Sequence, residues 1–120
     1  MWKVATTEVF DAWFAELNAE AKEEVAAKVG LLKIFGAQLA RPHADTLKGS
    51  KYKNMKELPA DAKGAALRIA FAFDPDRRAI LLVAGDKGGV SQKRFYKQLI
   101  VKADALFEAH LAAMGKKRDS

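Results

Sequence analysis

The chain has 120 residues, half of them hydrophobic, a length and composition that predict a single globular domain over residues 1–120. There is no cysteine, which excludes disulfide frameworks and thiolate zinc sites. No run approaches the ~18 apolar residues of a membrane span. The acids Glu8 and Asp11 near the start argue against a signal peptide and favour a cytoplasmic protein.

The net charge of +6 is unevenly distributed. Residues 1–24 hold six acids against two lysines, a balance of −4, so residues 25–120 carry +10. A basic body of this kind favours a polyanion or an acidic protein as partner. A lysine-rich protein with neither partner is the plainer alternative.

The first half of the chain predicts one strand and two helices. Residues 2–6 read as a strand, and Thr6 or Thr7 can cap the helix that follows. Asn18 can cap a second helix, and the dipeptide Arg41-Pro42 is expected to end it. Each helix carries one apolar stripe at helical spacing, which predicts packing against a common core.

The second half predicts three strands and a last helix. A strand near residues 54–58 is followed by a turn at ADAKG and by a clearly alternating strand over 65–74. Residues 79–85 are apolar throughout, which is typical of a central strand. Ser91 can cap the last helix, and residues 115–120 form a basic tail expected to fray. The plan is α+β, in the order β-α-α-β-β-β-α, with an antiparallel sheet because short turns join these strands.

Familiar catalytic sets are missing from the sequence. The two histidines, His43 and His110, lie in different settings and predict no metal site, and no Ser-His-Asp set can be assembled. The GDKGG loop lacks the pattern of a P-loop. We therefore expect neither a metal nor another cofactor.

Arg68 is the most informative polar residue. Alternation in its strand predicts that it points outward, away from the large apolar side chains, on a shallow open surface of alanines where a guanidinium can hold a phosphate through two parallel hydrogen bonds. The plainer alternative is a surface arginine paired with an acid such as Glu57 or Asp74, and most surface charges are only solvated.

Other basic groups flank this strand. Lys51, Lys53 and Lys56 precede it, and the segment 87–97 adds a second group around Tyr96. The members of that second group are Lys87, Lys93, Arg94 and Lys97. Lys93 and Lys97 share one helix face, and a helix start offers free N–H groups to an anion. Tyr96 can stack on a base, deliver a proton or simply flank the core.

Convergence of these groups would suit RNA cleavage by the neighbouring 2′-hydroxyl. That reaction needs a base, an acid and positive charge at the phosphate, and it needs no metal. A lysine can act as acid or base when other cations lower its pKa, whereas an arginine stabilises charge.

Three segments resemble HigB-like toxins of the RelE/ParE superfamily. They are LKGSKYKNMKEL, LRIAFAFDPDRRAILLVAGDKGG and SQKRFYKQLIVKADALFEAHL, in the family's order and over nearly the whole chain. The resemblance implies the toxin of a bacterial type II toxin–antitoxin pair, many of which cleave mRNA in the ribosomal A site. It also implies a helix-turn-helix antitoxin that neutralises the toxin and carries the pair to operator DNA.

The resemblance also implies roles for individual residues. Arg68 matches the strand arginine at the scissile phosphate, and Lys87 falls near the basic residue after the last strand. Tyr96 matches an aromatic position that in some relatives contacts the substrate base. Lys53 and Lys56 match basic positions of the preceding strand more loosely. The expected catalytic set is therefore Arg68, Lys56, Lys87 and Tyr96, with RNA binding by Lys51, Lys53, Lys93, Arg94 and Lys97.

Two departures from the family pattern bear on activity. Pro59 stands where relatives carry an arginine, and Ala65 stands where they often have a basic or bulky residue. Proline also requires a strand end, edge or bulge at position 59. The alternatives to an RNA-cleaving toxin are therefore a non-catalytic gyrase inhibitor of the ParE type and an attenuated toxin that only binds its antitoxin.

Overall fold

The computed structural model describes residues 1–89 and 91–119, with side chains as far as residue 115. The elements are β1 (Val4–Thr6), α1 (Glu8–Ala15), α2 (Ala19–Phe35), a 3₁₀ turn (Gly36–Gln38), β2 (Asp45–Thr46), β3 (Lys56–Ala62), β4 (Ala65–Phe73), β5 (Ala79–Asp86) and α3 (Gln92–Asp119). This α+β order confirms the prediction, with the two-residue strand β2 as an addition. None of the described helices is long and apolar enough to cross a membrane.

The strands form one sheet in the order β1-β5-β4-β3-β2. The pairs β2–β3, β3–β4 and β4–β5 are antiparallel, as the short turns predict, whereas β1 joins β5 in parallel and makes the sheet mixed. In the described part of the chain β2 pairs only with residues 56 and 57, so the rest of β3 is an edge. Pro59 lies in this edge segment, where its missing N–H is tolerated.

The first two helices begin at predicted caps. The Thr7 hydroxyl accepts a hydrogen bond from the Phe10 N–H at 3.0 Å, and the Asn18 side chain accepts one from the Ala21 N–H at 2.8 Å. The predicted end of α2 at Arg41-Pro42 is wrong. Helix α2 stops at Phe35 because Gly36 adopts φ 55°, and the Trp2 ring fills the space that a Cβ would occupy there.

The end of β3 differs from the prediction, whereas the start of the last helix agrees with it. Strand β3 continues to Ala62 instead of ending near residue 58, because the turn narrows to two residues and Gly64 adopts φ 79°. Helix α3 starts after Ser91, whose hydroxyl accepts a hydrogen bond from the Arg94 N–H at 3.5 Å. The helix extends to Asp119, into the segment predicted to fray, and Ser120 lies outside the described residues.

Both faces of the sheet are covered. Helices α1 and α2 pack on the face of Leu58, Ile69 and Phe71. Helix α3 packs on the other face, where its Leu99, Ala103 and Phe107 side chains meet residues of β4 and β5. The expectation of an open alanine surface on β4 is therefore wrong, since small side chains there let the helix approach. The acidic helix α1 and the acidic start of α2 thus lie across the sheet from helix α3.

Candidate functional site

Arg68 lies in the middle of β4 on the face that α3 covers. Its cross-strand neighbours are Pro59 on β3 and Gly85 on β5. A Cβ on Gly85 would lie 3.0 Å from the Phe95 ring, so glycine lets the start of α3 approach the sheet. The Arg68 side chain is only 10% exposed. The guanidinium is therefore enclosed, rather than lying on the shallow surface that alternation suggested.

Two carboxylates hold the Arg68 guanidinium. Its Nη1 donates to Asp61 Oδ1 at 2.7 Å and to the Leu67 carbonyl oxygen at 2.7 Å, while its Nε lies 3.5 Å from Glu57 Oε1. The plainer alternative was therefore right about Glu57. It was wrong about Asp74, whose buried carboxylate instead binds Arg78 and His110.

Tyr96 links the start of α3 to these carboxylates. Its hydroxyl donates to Glu57 Oε1 at 3.0 Å. The side chains of Glu57, Asp61, Arg68 and Tyr96 form one connected group, which we call the Arg68 cluster. Tyr96 of the predicted catalytic set is therefore connected to Arg68 through Glu57, and it also acts directly on the pKa of Arg68.

Burial and mutual charge set the protonation of this cluster. Burial raises the pKa of Glu57, against the opposing effects of the Tyr96 hydrogen bond and the charges of Arg68 and Lys87. Burial alone would lower the pKa of Arg68, but Asp61 and Tyr96 more than offset it and the net shift is upward. Burial and the charge of Glu57 raise the pKa of Tyr96, so its hydroxyl remains a donor at neutral pH.

The other two residues of the predicted catalytic set lie in different places. Lys87 follows β5, with its N–H bonded to the Ala66 carbonyl, and its charge acts on Glu57, so it belongs to the surroundings of the cluster. Lys56 shares the face of Leu58 and points to the α1–α2 side of the sheet, where it borders a depression with residues 37–41 and 44–46. Lys56 is therefore not brought together with Arg68.

The start of α3 presents a basic surface on the side of the helix that faces away from the sheet, in the same helical turns as Tyr96 of the cluster. Lys93, Arg94 and Lys97 are exposed and border one shallow groove, together with Lys102. We call these four residues the basic helix face. The first acid of α3 is Asp104, so no carboxylate of the helix interrupts this surface. Its charge and exposure suit the phosphates of a single strand.

The remaining predicted RNA-binding residues lie in the turn before β3. Lys51 forms a 2.9 Å ion pair with Glu108, a hydrogen bond that raises the pKa of the lysine. Twelve residues of helix, roughly 18 Å, separate Glu108 from Tyr96. Lys53 is exposed in the same turn. Neither lysine joins the Arg68 cluster.

Sequence reasoning missed Glu57 and Asp61 as members of a site. The sequence contained a signal for them, since alternation places positions 57, 59 and 61 on one face of β3. In the sheet this is the face of Arg68, which pairs with Pro59. In the part of the chain that the structure describes, no three His, Asp or Glu side chains lie close enough together to hold a metal ion.

The sequence matches known proteins over most of its length. The model of the phage-derived Gp49-like protein family (DUF891) matches residues 12–108. "Putative toxin HigB3" of Mycobacterium tuberculosis is 45% identical over 104 residues, which cover 86% of this chain and 88% of the relative. "Putative toxin HigB2" of the same organism is 43% identical over 109 residues, 90% of this chain, and the chain spans about half of that relative, 54%. The chain therefore belongs to the Gp49-like family, and its resemblance to HigB-like toxins is confirmed.

Proposed function

We propose that this chain is the toxin of a toxin–antitoxin pair and cleaves mRNA on the ribosome by metal-independent chemistry. The observation that carries the proposal is the Arg68 cluster. An arginine, a carboxylate and a phenol are joined by an ion pair and a hydrogen bond, and the phenol comes from the helix that carries the basic helix face. The names of the relatives, "Putative toxin HigB2" and "Putative toxin HigB3", support the toxin part of the proposal.

Two members of the cluster, Arg68 and Glu57, and the neighbouring Lys87 have chemical roles in this proposal. Arg68 neutralises the crowded phosphate, and Glu57, whose pKa burial raises, accepts the proton of the 2′-hydroxyl. The 2′ oxygen then bonds to phosphorus as the bond to the 5′ oxygen breaks. The leaving 5′ oxygen takes a proton from the ammonium of Lys87. The products are a 2′,3′-cyclic phosphate and a 5′-hydroxyl.

Tyr96 positions Glu57 by its hydrogen bond, and the basic helix face holds the strand on either side of the cut. The proposed partners are mRNA on the ribosome and a cognate helix-turn-helix antitoxin, through which alone operator DNA is bound. The toxin acts in the cytoplasm, where its mRNA substrate is translated.

The test is cleavage of mRNA by purified protein with ribosomes, in chelator, with analysis of the RNA ends. We expect Glu57→Gln to reduce the rate at least about 100-fold, since a general base contributes that much. The matched control is Glu16→Gln, which removes the same charge from an exposed position on the other side of the sheet. Arrested growth with intact mRNA would refute the proposal, and inhibition of supercoiling would then identify a gyrase inhibitor.

One observation favours a second function, antitoxin binding without RNA cleavage. Two carboxylates already occupy Arg68, so the phosphate-binding group is not free. An attenuated toxin of this kind predicts normal growth on expression, together with tight binding to the antitoxin. Cleavage of any mRNA by the purified protein would rule it out.

A further inference from the structure

Asp61 is the exposed half of the Arg68–Asp61 ion pair. Its side chain is 66% exposed, whereas the Arg68 side chain is 10% exposed and that of Glu57 is 14% exposed. The guanidinium therefore reaches solvent on the side of Asp61. Any anion that approaches Arg68 from solvent meets the Asp61 carboxylate first.

The contact between Arg68 and Asp61 resembles the contact between an arginine and a bound phosphate. A carboxylate oxygen accepts from Arg68 Nη1 at 2.7 Å, the short distance of a charge-assisted hydrogen bond, and guanidinium binds carboxylate and phosphate oxygens with the same geometry. The other bond of Nη1 goes to the Leu67 carbonyl, which is fixed in the backbone of β4. The contact with Asp61 is thus the one that a ligand can replace without altering the strand.

Asp61 also stabilises the charge of Arg68 when no ligand is bound. Burial disfavours the charge of Arg68, and the charge and hydrogen bond of Asp61 offset that effect. A substrate phosphate would supply the same compensation. One anion can therefore take the place of the other while Arg68 keeps its charge and position.

We propose that the Asp61 carboxylate occupies the place of the substrate phosphate on Arg68, so that RNA binds by exchanging one anion for the other. The proposal rests on the proposed function for the identity of the ligand. Competition between Asp61 and a phosphate for Arg68 does not depend on RNA cleavage and can be measured without it. Asp61 is in this view a specificity residue, since it excludes anions that the basic helix face does not also hold.

The first experiment uses inorganic phosphate as the probe and follows the Arg68 Nε–Hε resonance by NMR. We expect Asp61→Asn to tighten the dissociation constant for phosphate about tenfold, the value of one charge-assisted contact. The control Glu16→Gln changes the net charge by the same amount and should alter the dissociation constant for phosphate less than twofold. Phosphate should also raise the melting temperature of Asp61→Asn more than that of the parent chain. Equal phosphate affinities of Asp61→Asn and Glu16→Gln would overturn the proposal.

The second experiment measures cleavage of mRNA on ribosomes by the same variants. Asp61→Asn should lower KM with kcat little changed, and Asp61→Ser should behave alike, since each removes the competing charge. A fall in kcat for both variants would show that Asp61 only holds Arg68 in place, and would overturn the proposal. Tighter phosphate binding without cleavage by any variant would support the exchange and refute the nuclease function.

Discussion

Removal of the Tyr96 hydroxyl tests the connection between helix α3 and the Arg68 cluster. In Tyr96→Phe the ring stays and one donor is lost, the one that reaches Glu57 Oε1 at 3.0 Å. The Glu57 side chain is 14% exposed, so water replaces this donor poorly. Its remaining cationic contact, with Arg68 Nε at 3.5 Å, is long.

The size of the effect depends on the charge of Glu57. A hydrogen bond to a charged group is worth roughly 1.5–3 kcal/mol, and a neutral one about 1 kcal/mol. Burial raises the pKa of Glu57 above 4.5, and the bond from Tyr96 opposes this rise. Loss of the hydroxyl therefore raises that pKa further. We expect Tyr96→Phe to lower the unfolding free energy by about 2 kcal/mol at neutral pH, and by about 1 kcal/mol once Glu57 is protonated.

The assay is urea denaturation of the parent and variant chains at pH 7.5 and near pH 4. Tyr52→Phe is the matched control, because it also deletes a phenolic hydroxyl from a half-buried ring and because that hydroxyl has no hydrogen-bond partner among the described residues. Its effect should be small and the same at both pH values. A loss in Tyr96→Phe that did not change with pH would refute the role assigned to the Tyr96–Glu57 bond.

Four further variants test the Asp74 ion pairs, the two basic groups and the proline of β3. Asp74→Asn should cost about 3 kcal/mol of unfolding free energy at neutral pH. Burial alone would raise the pKa of Asp74, but bonds from His110 and Arg78 lower it below its usual value of 3.8. In urea denaturation, the difference in unfolding free energy between the parent and Asp74→Asn should therefore vanish as the pH falls through that lowered pKa. Lys56→Gln should change RNA affinity less than twofold, because Lys56 lies across the sheet from Arg68. The double change K93Q/K97Q removes two phosphate-binding charges and should lower the slope of RNA affinity against salt concentration, on logarithmic scales, by roughly 1.4. Pro59→Arg should increase phosphate affinity in the NMR titration, because the new arginine would draw Asp61 away from Arg68. An unchanged affinity would show that the proline is not limiting.

Local patterns predicted those parts of the fold that local chemistry determines. The caps at Thr7 and Asn18 and the alternation of β4 depend on neighbouring residues only, and each is confirmed. The end of α2 was also signalled locally, by Gly36. The prediction gave more weight to Pro42, although a left-handed glycine stops a helix before a later proline can.

Features that depend on distant packing were beyond the sequence. A two-residue strand such as β2 has no period to detect, and its pairing with residues 56 and 57 comes from the course of a loop. Alternation showed which side chains share the face of Arg68, but not that α3 covers it. The same limit applies to Lys56, since its position in a basic run did not reveal that alternation turns it away from Arg68.

Net charge was the weakest guide to the site. The chain carries +6, and the basic helix face fits that balance, yet Arg68 meets two carboxylates within its own cluster. The exposed basic helix face and the enclosed Arg68 would act on RNA differently. Exposed lysines attract a strand over a Debye length, about 8–10 Å, whereas an enclosed arginine distinguishes one phosphate at contact distance. Attraction without exchange at Arg68 would leave RNA bound and uncut. In the proposed exchange, RNA cleavage therefore depends less on the arginine that is missing at Pro59 than on how readily a phosphate displaces Asp61 from Arg68.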